Sequence, residues 1–297
     1  MRFVKMHGIG NDYVYLDAVT DDAPERRPDL PALARAMSDR HRGIGSDGLI
    51  LVCRPKGSAH VRMRMFNADG SESEMCGNGV RCVTKFAYDR LGVRANPMLV
   101  ETGRGVLSIR YETAGGRLAS ATVDMGEPIL DLSRIPVRED RLAWKGVKNH
   151  YGLTAGEAGD DAWVGVFVSM GNPHAVFFDD ENARIKLEGL DRLDLPRIGP
   201  PIEHHPAFPN RVNAHFVVPR TPREAHMRTW ERGAGATLAC GTGACAVCVA
   251  GVRTGRLERN VLLHLPGGDL SIRWDEPTNH VFMTGPAADV FDGEWPA

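Results

Sequence analysis

The chain has 297 residues, 42% of them apolar, and 36 Lys and Arg against 38 Asp and Glu, a net charge of −2. That length is long for a single core and points to two domains. The balanced charge lacks the one-sided field that nucleic acid or an anionic membrane surface requires, so a small molecule is the expected partner.

The first residues, MRFVKMHGIGNDYVYLDA, carry no apolar signal segment, and no window has the 18 or so apolar residues of a spanning helix. The chain therefore reads as a cytoplasmic protein. YVYLDA, GLILV and LSIRY are short β-branched or aromatic runs bounded by Gly, Asp or Pro, and read as strands. LPALARAMSDR (30–40) reads as a helix. A second helix opens at Cys76 and continues as VRCVTKFAYDRLG, apolar on most faces, as expected of a helix enclosed by a sheet. The domain boundary is placed between Thr122 and Pro128, giving domains 1–122 and 123–286, with a final strand in 287–297 that can return to the first. The stretch 196–210, with five prolines and two adjacent histidines, reads as an ordered loop. A third enclosed helix opens at Cys240 and runs on as ACAVCVAGVRTG.

These elements repeat. A shift of 164 residues lays MRMF (63–66) on MRTW (227–230) and Cys76-Gly77-Asn78-Gly79 on Cys240-Gly241-Thr242-Gly243. With one residue deleted, LSIRY (107–111) meets LSIRW (270–274), and Gly10-Asn11 pairs with Gly171-Asn172 at a shift of 161. Four landmarks in one order indicate a duplicated domain.

A cysteine before each such helix has a chemical meaning. The first N–H groups of a helix are unpaired and carry the positive end of its dipole, which attracts anions and favours thiolate over thiol. Bringing a thiol of pKa about 8.5 to 7 takes roughly 2 kcal/mol, within reach of a partly buried helix terminus. If the halves face each other, Cys76 and Cys240 stand on opposite sides of one cleft, as a two-base racemase requires. Six cysteines are too sparse for a disulfide scaffold, and four of them lie inside apolar, helix-like runs. Cys53, Cys82, Cys245 and Cys248 read as small core groups. The CxxC at 245–248 lies inside a helix-like run with no second CxxC or nearby His pair to complete a metal site, so no metal is expected.

At these residues the sequence resembles the diaminopimelate epimerases, over KMHGIGNDY (5–13), GIGSDGLI (43–50), FNADGSESEMCGNGVRC (66–82), SMGNPH (169–174), RVNAHF (211–216), WERGAGATLACGTGAC (230–245), LPGGDLSIRW (265–274) and MTGPA (283–287). The resemblance implies an α+β fold of two pseudo-symmetric domains, each a mostly antiparallel, barrel-like curled sheet around a central helix, with the site in the interdomain cleft. It implies cofactor-independent interconversion of LL- and meso-diaminopimelate in lysine and peptidoglycan precursor synthesis, by a homodimer. Cys76 and Cys240 become the acid/base pair; Gly77, Asn78, Gly241 and Thr242 bind the carboxylate at the reacting centre. Asn11, Asn67, Asn172 and Asn213 bind substrate, Glu231 and Arg232 hold the distant amino-acid end, and His174 and Glu231 tune the thiols. Asn182, Asn210, His204 and His205 are left as surface or loop groups. The chain departs from many relatives at Gly48, where they carry Gln, and at Ala236, where they carry Glu. The rival readings are another two-cysteine racemase, of the proline or hydroxyproline type, and a non-enzymatic binding protein with a thiol switch.

Overall fold

The computed structural model describes residues 1–146, 150–154 and 163–296. Its contacts fall into two compact units, Met1–Asp124 with Thr284–Ala297, and Met125–Met283.

The first unit runs β1 (Arg2–Gly8), β2 (Asn11–Ala18), α1 (Leu30–Ser38), β3 (Gly48–Cys53), β4 (Val61–Asn67), β5 (Glu72–Ser73), α2 (Gly77–Leu91), β6 (Met98–Thr102), β7 (Gly105–Ala114) and β8 (Arg117–Asp124). The second runs β9 (Trp144–Lys145), β10 (Tyr151–Leu153), β11 (Trp163–Ser169), β12 (Pro173–Phe178), α3 (Leu187–Leu190), α4 (Leu195–Glu203), β13 (Asn213–Thr221), β14 (Glu224–Glu231), β15 (Gly235–Thr237), α5 (Gly241–Thr254), β16 (Asn260–Leu265) and β17 (Gly268–Trp274). Then β18 (Val281–Pro286) leads to β19 (Ala288–Glu294), which pairs antiparallel with β1.

The duplication is visible in the pairing. In the first unit β1–β2 is antiparallel, β2–β3 parallel, β3–β4 and β4–β5 antiparallel; after α2, β4–β6 is parallel and β6–β7 antiparallel. In the second, β11–β12, β12–β13, β13–β14, β14–β15, then β14–β16 and β16–β17 after α5, follow the same order of senses. MRMF and MRTW lie on the equivalent strands β4 and β14, and LSIRY and LSIRW on β7 and β17.

Each unit is built around its Cys-started helix. On α2 every residue from Gly77 to Ala87 is buried, and Val80, Val83 and Phe86 each contribute about 1.5–3 kcal/mol by leaving water. On α5 the buried face extends all round Ala244, Cys245, Ala246, Val247, Cys248, Val249 and Ala250. Its small side chains let the strands approach closely. α1 is the helix expected over 30–40, burying Leu30, Leu33, Ala34 and Met37 at the spacing of one helical face.

One expectation needs correction. Residues 195–203 of the proline-rich stretch are helix α4, not loop. Pro196 sits in the first turn, where no N–H is needed, and Asp194 accepts from Arg197 N at 3.3 Å. Pro200 and Pro201 do weaken the backbone ladder, but Leu195 and Ile202 join the aromatic core of Trp163, Phe167, Phe177, Phe208 and Phe216, and this burial outweighs the lost bonds. Cys53 ends strand β3 and is fully buried. Asn182 and His205, left as surface or loop groups, stand in loops and are buried there; Asn182 donates to Val164 O and Phe178 O at 2.9 and 2.8 Å.

Both enclosed helices stop at a glycine in the left-handed region, Gly92 at φ 72° and Gly255 at φ 77°, with nothing within 4 Å of where a Cβ would stand. Gly92→Ala and Gly255→Ala should therefore each lose about 1–2 kcal/mol by conformation alone. Urea unfolding of the two variants checks this, and the losses should match, since the two caps are equivalent.

Candidate active site

Cys76 and Cys240 occupy the same structural position. Each is the N-cap of its helix in extended conformation, at φ −133°, ψ 121° and φ −123°, ψ 105°. The second glycine of each Cys-Gly-x-Gly is a packing requirement. A Cβ on Gly79 would lie 2.8 Å from Ile50 Cδ1, and one on Gly243 would lie 2.2 Å from His215 Cε1.

Around Cys76, Gly79 N donates to the sulfur at 3.4 Å and the thiol donates to Asn11 Oδ1 at 3.3 Å. Asn11 follows the tight β1–β2 turn, where Ile9 and Gly10 both have positive φ. Its amide is oriented by Asp47, which accepts from Asn11 Nδ2 at 2.7 Å and from Asp12 N at 3.1 Å; Arg40 bridges Asp12 and Asp47. Burial pushes the Asp47 carboxyl above its ordinary range, and the Asp12 charge adds to this. Tyr13 hydrogen-bonds to Cys76 and Asn11, and burial raises its phenol well above the ordinary value, so it stays protonated. Tyr13, Gly48 and Asn67 are neighbours across β2, β3 and β4. A Cβ on Gly48 would lie 2.1 Å from Phe66 O and 2.9 Å from Tyr13 Cε1, so in this chain the row has no room for a side chain there. Asn67 donates from Nδ2 to Ser71 Oγ at 2.9 Å. Gly77 and Asn78 open α2, where the fully buried Arg81 donates to Asn78 Oδ1 at 2.9 Å and Gly77 O at 3.4 Å.

Around Cys240, Thr242, Asn172 and His174 join one hydrogen-bonded network, and Asn213 and Arg232 form a second. Cys240 lies 3.7 Å from Thr242 Oγ1, which accepts from Asn172 Nδ2 at 3.4 Å. Asn172 Oδ1 accepts from His174 Nε2 at 2.9 Å, and His174 Nδ1 is 2.8 Å from His215 Nε2. An amide oxygen only accepts, so His174 carries its proton on Nε2 and receives the His215 proton at Nδ1. His215 Nδ1 in turn accepts from Thr229 Oγ1 at 3.0 Å, across the β13–β14 pair. Asn213 donates to Pro173 O at 2.9 Å and accepts from Arg232 N at 3.0 Å. Arg232 Nη1 donates to Asn210 O at 3.0 Å. Gly241 is buried at the start of α5, while Ala236 is exposed on β15.

The electrostatics of Cys240 run against the helix-dipole expectation. Burial pushes its thiol well above the ordinary value, and the Glu231 carboxylate beside it adds to this by charge and by hydrogen bonding. Thr237 Oγ1 donates to Glu231 Oε1 at 2.6 Å, holding that carboxylate in place. Cys240 is thus a protonated donor aimed at a base. Burial also keeps both histidines neutral: His215 falls to about 3, and His174 well below its usual value by burial, since charging it beside His215 and the Arg232 guanidinium is disfavoured.

Sequence reasoning passed over Tyr13, Asp47, His215 and Thr229, which orient residues it did find. Their signal was weak: Asp47 lay inside a quoted block without a role, and His215 inside RVNAHF.

Two outcomes follow. Glu231→Gln should move the alkylation of Cys240 by iodoacetamide to lower pH, while burial, the larger cause, still holds it above an ordinary thiol; peptide mass spectrometry reads this site by site. The unfolded chain takes up protons near pH 6.5 that buried His174 and His215 refuse, so their penalty is absent above 6.5 and grows as pH falls, for His215 until about 3. Urea unfolding should show stability dropping by up to about 1.4 kcal/mol per pH unit for each histidine below 6.5, with a shallower slope in His215→Gln.

Comparison with known proteins agrees with the resemblance. The sequence model for diaminopimelate epimerase matches residues 3–130 and 166–290. The diaminopimelate epimerase of Desulfovibrio desulfuricans is 51% identical over 297 residues, 99% of this chain and 98% of that protein; that of Desulfitobacterium hafniense is 48% identical over 99% and 97%. Among solved structures, a probable proline racemase from Agrobacterium radiobacter, 13% identical, superimposes with a TM-score of 0.66 over 99% of this chain and 92% of its own, a likeness of fold. The chain belongs to the diaminopimelate epimerase family.

Proposed function

We propose that the protein is a cofactor-independent epimerase interconverting LL- and meso-diaminopimelate, with Cys76 and Cys240 as its acid/base pair. One sulfur, as thiolate, takes the α-proton of the substrate; the other, as thiol, delivers its proton to the opposite face of the same carbon. The carbanion formed between these steps is delocalised into the α-carboxylate, whose added charge the open N–H groups at Gly77, Asn78, Gly241 and Thr242 stabilise. Losing one preorganised donor of this kind typically costs about 10²- to 10³-fold.

The observation that carries the reading is the matched placement of Cys76 and Cys240 as N-caps of two largely buried helices. Full-length relatives named diaminopimelate epimerase support the substrate. Glu231 acts on Cys240, the sulfur it touches. Asn11, Asn67, Asn172 and Asn213 supply amides to the substrate, and Arg232 offers a guanidinium to its distant carboxylate, a group that monocarboxylic amino acids lack. The enzyme works as a homodimer in the cytoplasm.

Purified protein without added cofactor should interconvert the LL and meso isomers and leave proline unchanged. Cys76→Ala and Cys240→Ala should each lower turnover by at least about 100-fold. Chiral chromatography of the products decides it; retained turnover in either variant, or racemisation of proline, refutes the assignment.

A further inference from the structure

The pairing of β14, β16 and β17 brings together side chains that the epimerase chemistry does not use. His226 and His264 are register partners on the parallel strands β14 and β16. Glu224 precedes His226 by two residues, so alternation puts it on the same face. Asp269 on β17 is the register partner of His264. Ligand atoms of Glu224, His226 and His264 all lie within 4.8 Å of one another, and the two imidazole rings tilt together at 4.6 Å between centroids.

We propose that Glu224, His226 and His264 form a three-ligand site for a divalent transition-metal ion of the zinc, cobalt or nickel class, with Asp269 orienting His264. Three features carry this. His264 Nε2 stands 3.2 Å from Glu224 Oε1, and two donors bound tetrahedrally at about 2.0–2.1 Å are separated by about 3.3–3.4 Å. Asp269 Oδ1 lies 2.8 Å from His264 Nδ1; by taking that N–H it leaves Nε2 as the nitrogen for a metal, the carboxylate–histidine–metal arrangement that fixes tautomer and raises ligand basicity. Two imidazoles with one carboxylate favour borderline transition ions over magnesium or calcium. The partial burial of the three ligands leaves their side chains room to close on an ion, and leaves its remaining position to water. The ion would tie β14 to β16 and, through Asp269, to β17. It is independent of the proposed epimerase reading, since none of the four residues touches the residues assigned to substrate.

The test is a Co2+ titration of full-length, chelator-treated protein followed by absorption, with Zn2+ competing. One equivalent should bind per chain and give visible ligand-field bands without the near-ultraviolet charge transfer of a thiolate ligand. His226→Gln and His264→Gln should abolish this binding, and Asp269→Asn, at an exposed position where folding is not at risk, should weaken it about 10- to 100-fold. Epimerase turnover in metal-free buffer should be unchanged in Asp269→Asn. Absence of stoichiometric binding, a thiolate band that places the ion on cysteine, or equal affinity in wild type, His264→Gln and Asp269→Asn each overturns the site.

Discussion

A helix enclosed on all sides has one end whose N–H groups nothing in the helix can satisfy, and in both units that end begins at a cysteine. This constraint organises much of the rest. The extended N-cap conformation of Cys76 and Cys240 presents each sulfur at the mouth of the helix. The glycines behind them exist because other groups press on the first turn: Ile50 against Gly79, and the His215 ring against Gly243. The turns bearing Asn11 and Asn172 are brought to the same mouths by equivalent strands. Enclosure supplies the low dielectric in which a few fixed dipoles act strongly on charge.

The same enclosure makes the two sulfurs unequal. Cys76 is half-buried, capped by Gly79 N and hydrogen-bonded to Asn11 and Tyr13. Cys240 is buried and faces Glu231, and burial and that charge outweigh the Thr242 and Gly243 hydrogen bonds at its sulfur. For Cys240 a helix terminus contributing about 0.3–2 kcal/mol does not overcome desolvation and a neighbouring carboxylate. Duplication has thus supplied two copies of one geometry with different surroundings, and at Cys240 those surroundings raise the thiol's proton affinity. The directed chain from Thr229 through His215, His174 and Asn172 to Thr242 fixes the amide of Asn172 in the second unit as Asp47 fixes that of Asn11 in the first.

Much of this was legible in the chain. The repeat was readable because its landmarks are short and rigid: a Cys-Gly-x-Gly helix start, an aromatic on the preceding strand, and a glycine turn before an asparagine. Enclosed helices announced themselves by being apolar on most faces. α4 was not legible, because its prolines are local signals for a loop, whereas its reasons to be helical, Leu195 and Ile202 in an aromatic core, are tertiary. The raised thiol of Cys240 was hidden for a similar cause: Glu231 and Cys240 are nine residues apart, and only the β14–β15 turn sets them side by side. His215 and Asp47 serve through other residues, and sequence pattern has no term for a side chain that orients another. The Glu224, His226, His264 and Asp269 cluster depends on a parallel register between strands separated by α5.

The central claim is that two different sulfurs handle the two protons. It is tested most directly by early-turnover mass spectrometry of LL-diaminopimelate incubated with the enzyme in heavy water. Two bases predict a meso product carrying one solvent deuteron on the inverted carbon while recovered LL isomer remains unlabelled. Product retaining the original proton, or recovered LL isomer labelled as fast as product forms, would show one group serving both faces and would contradict the account.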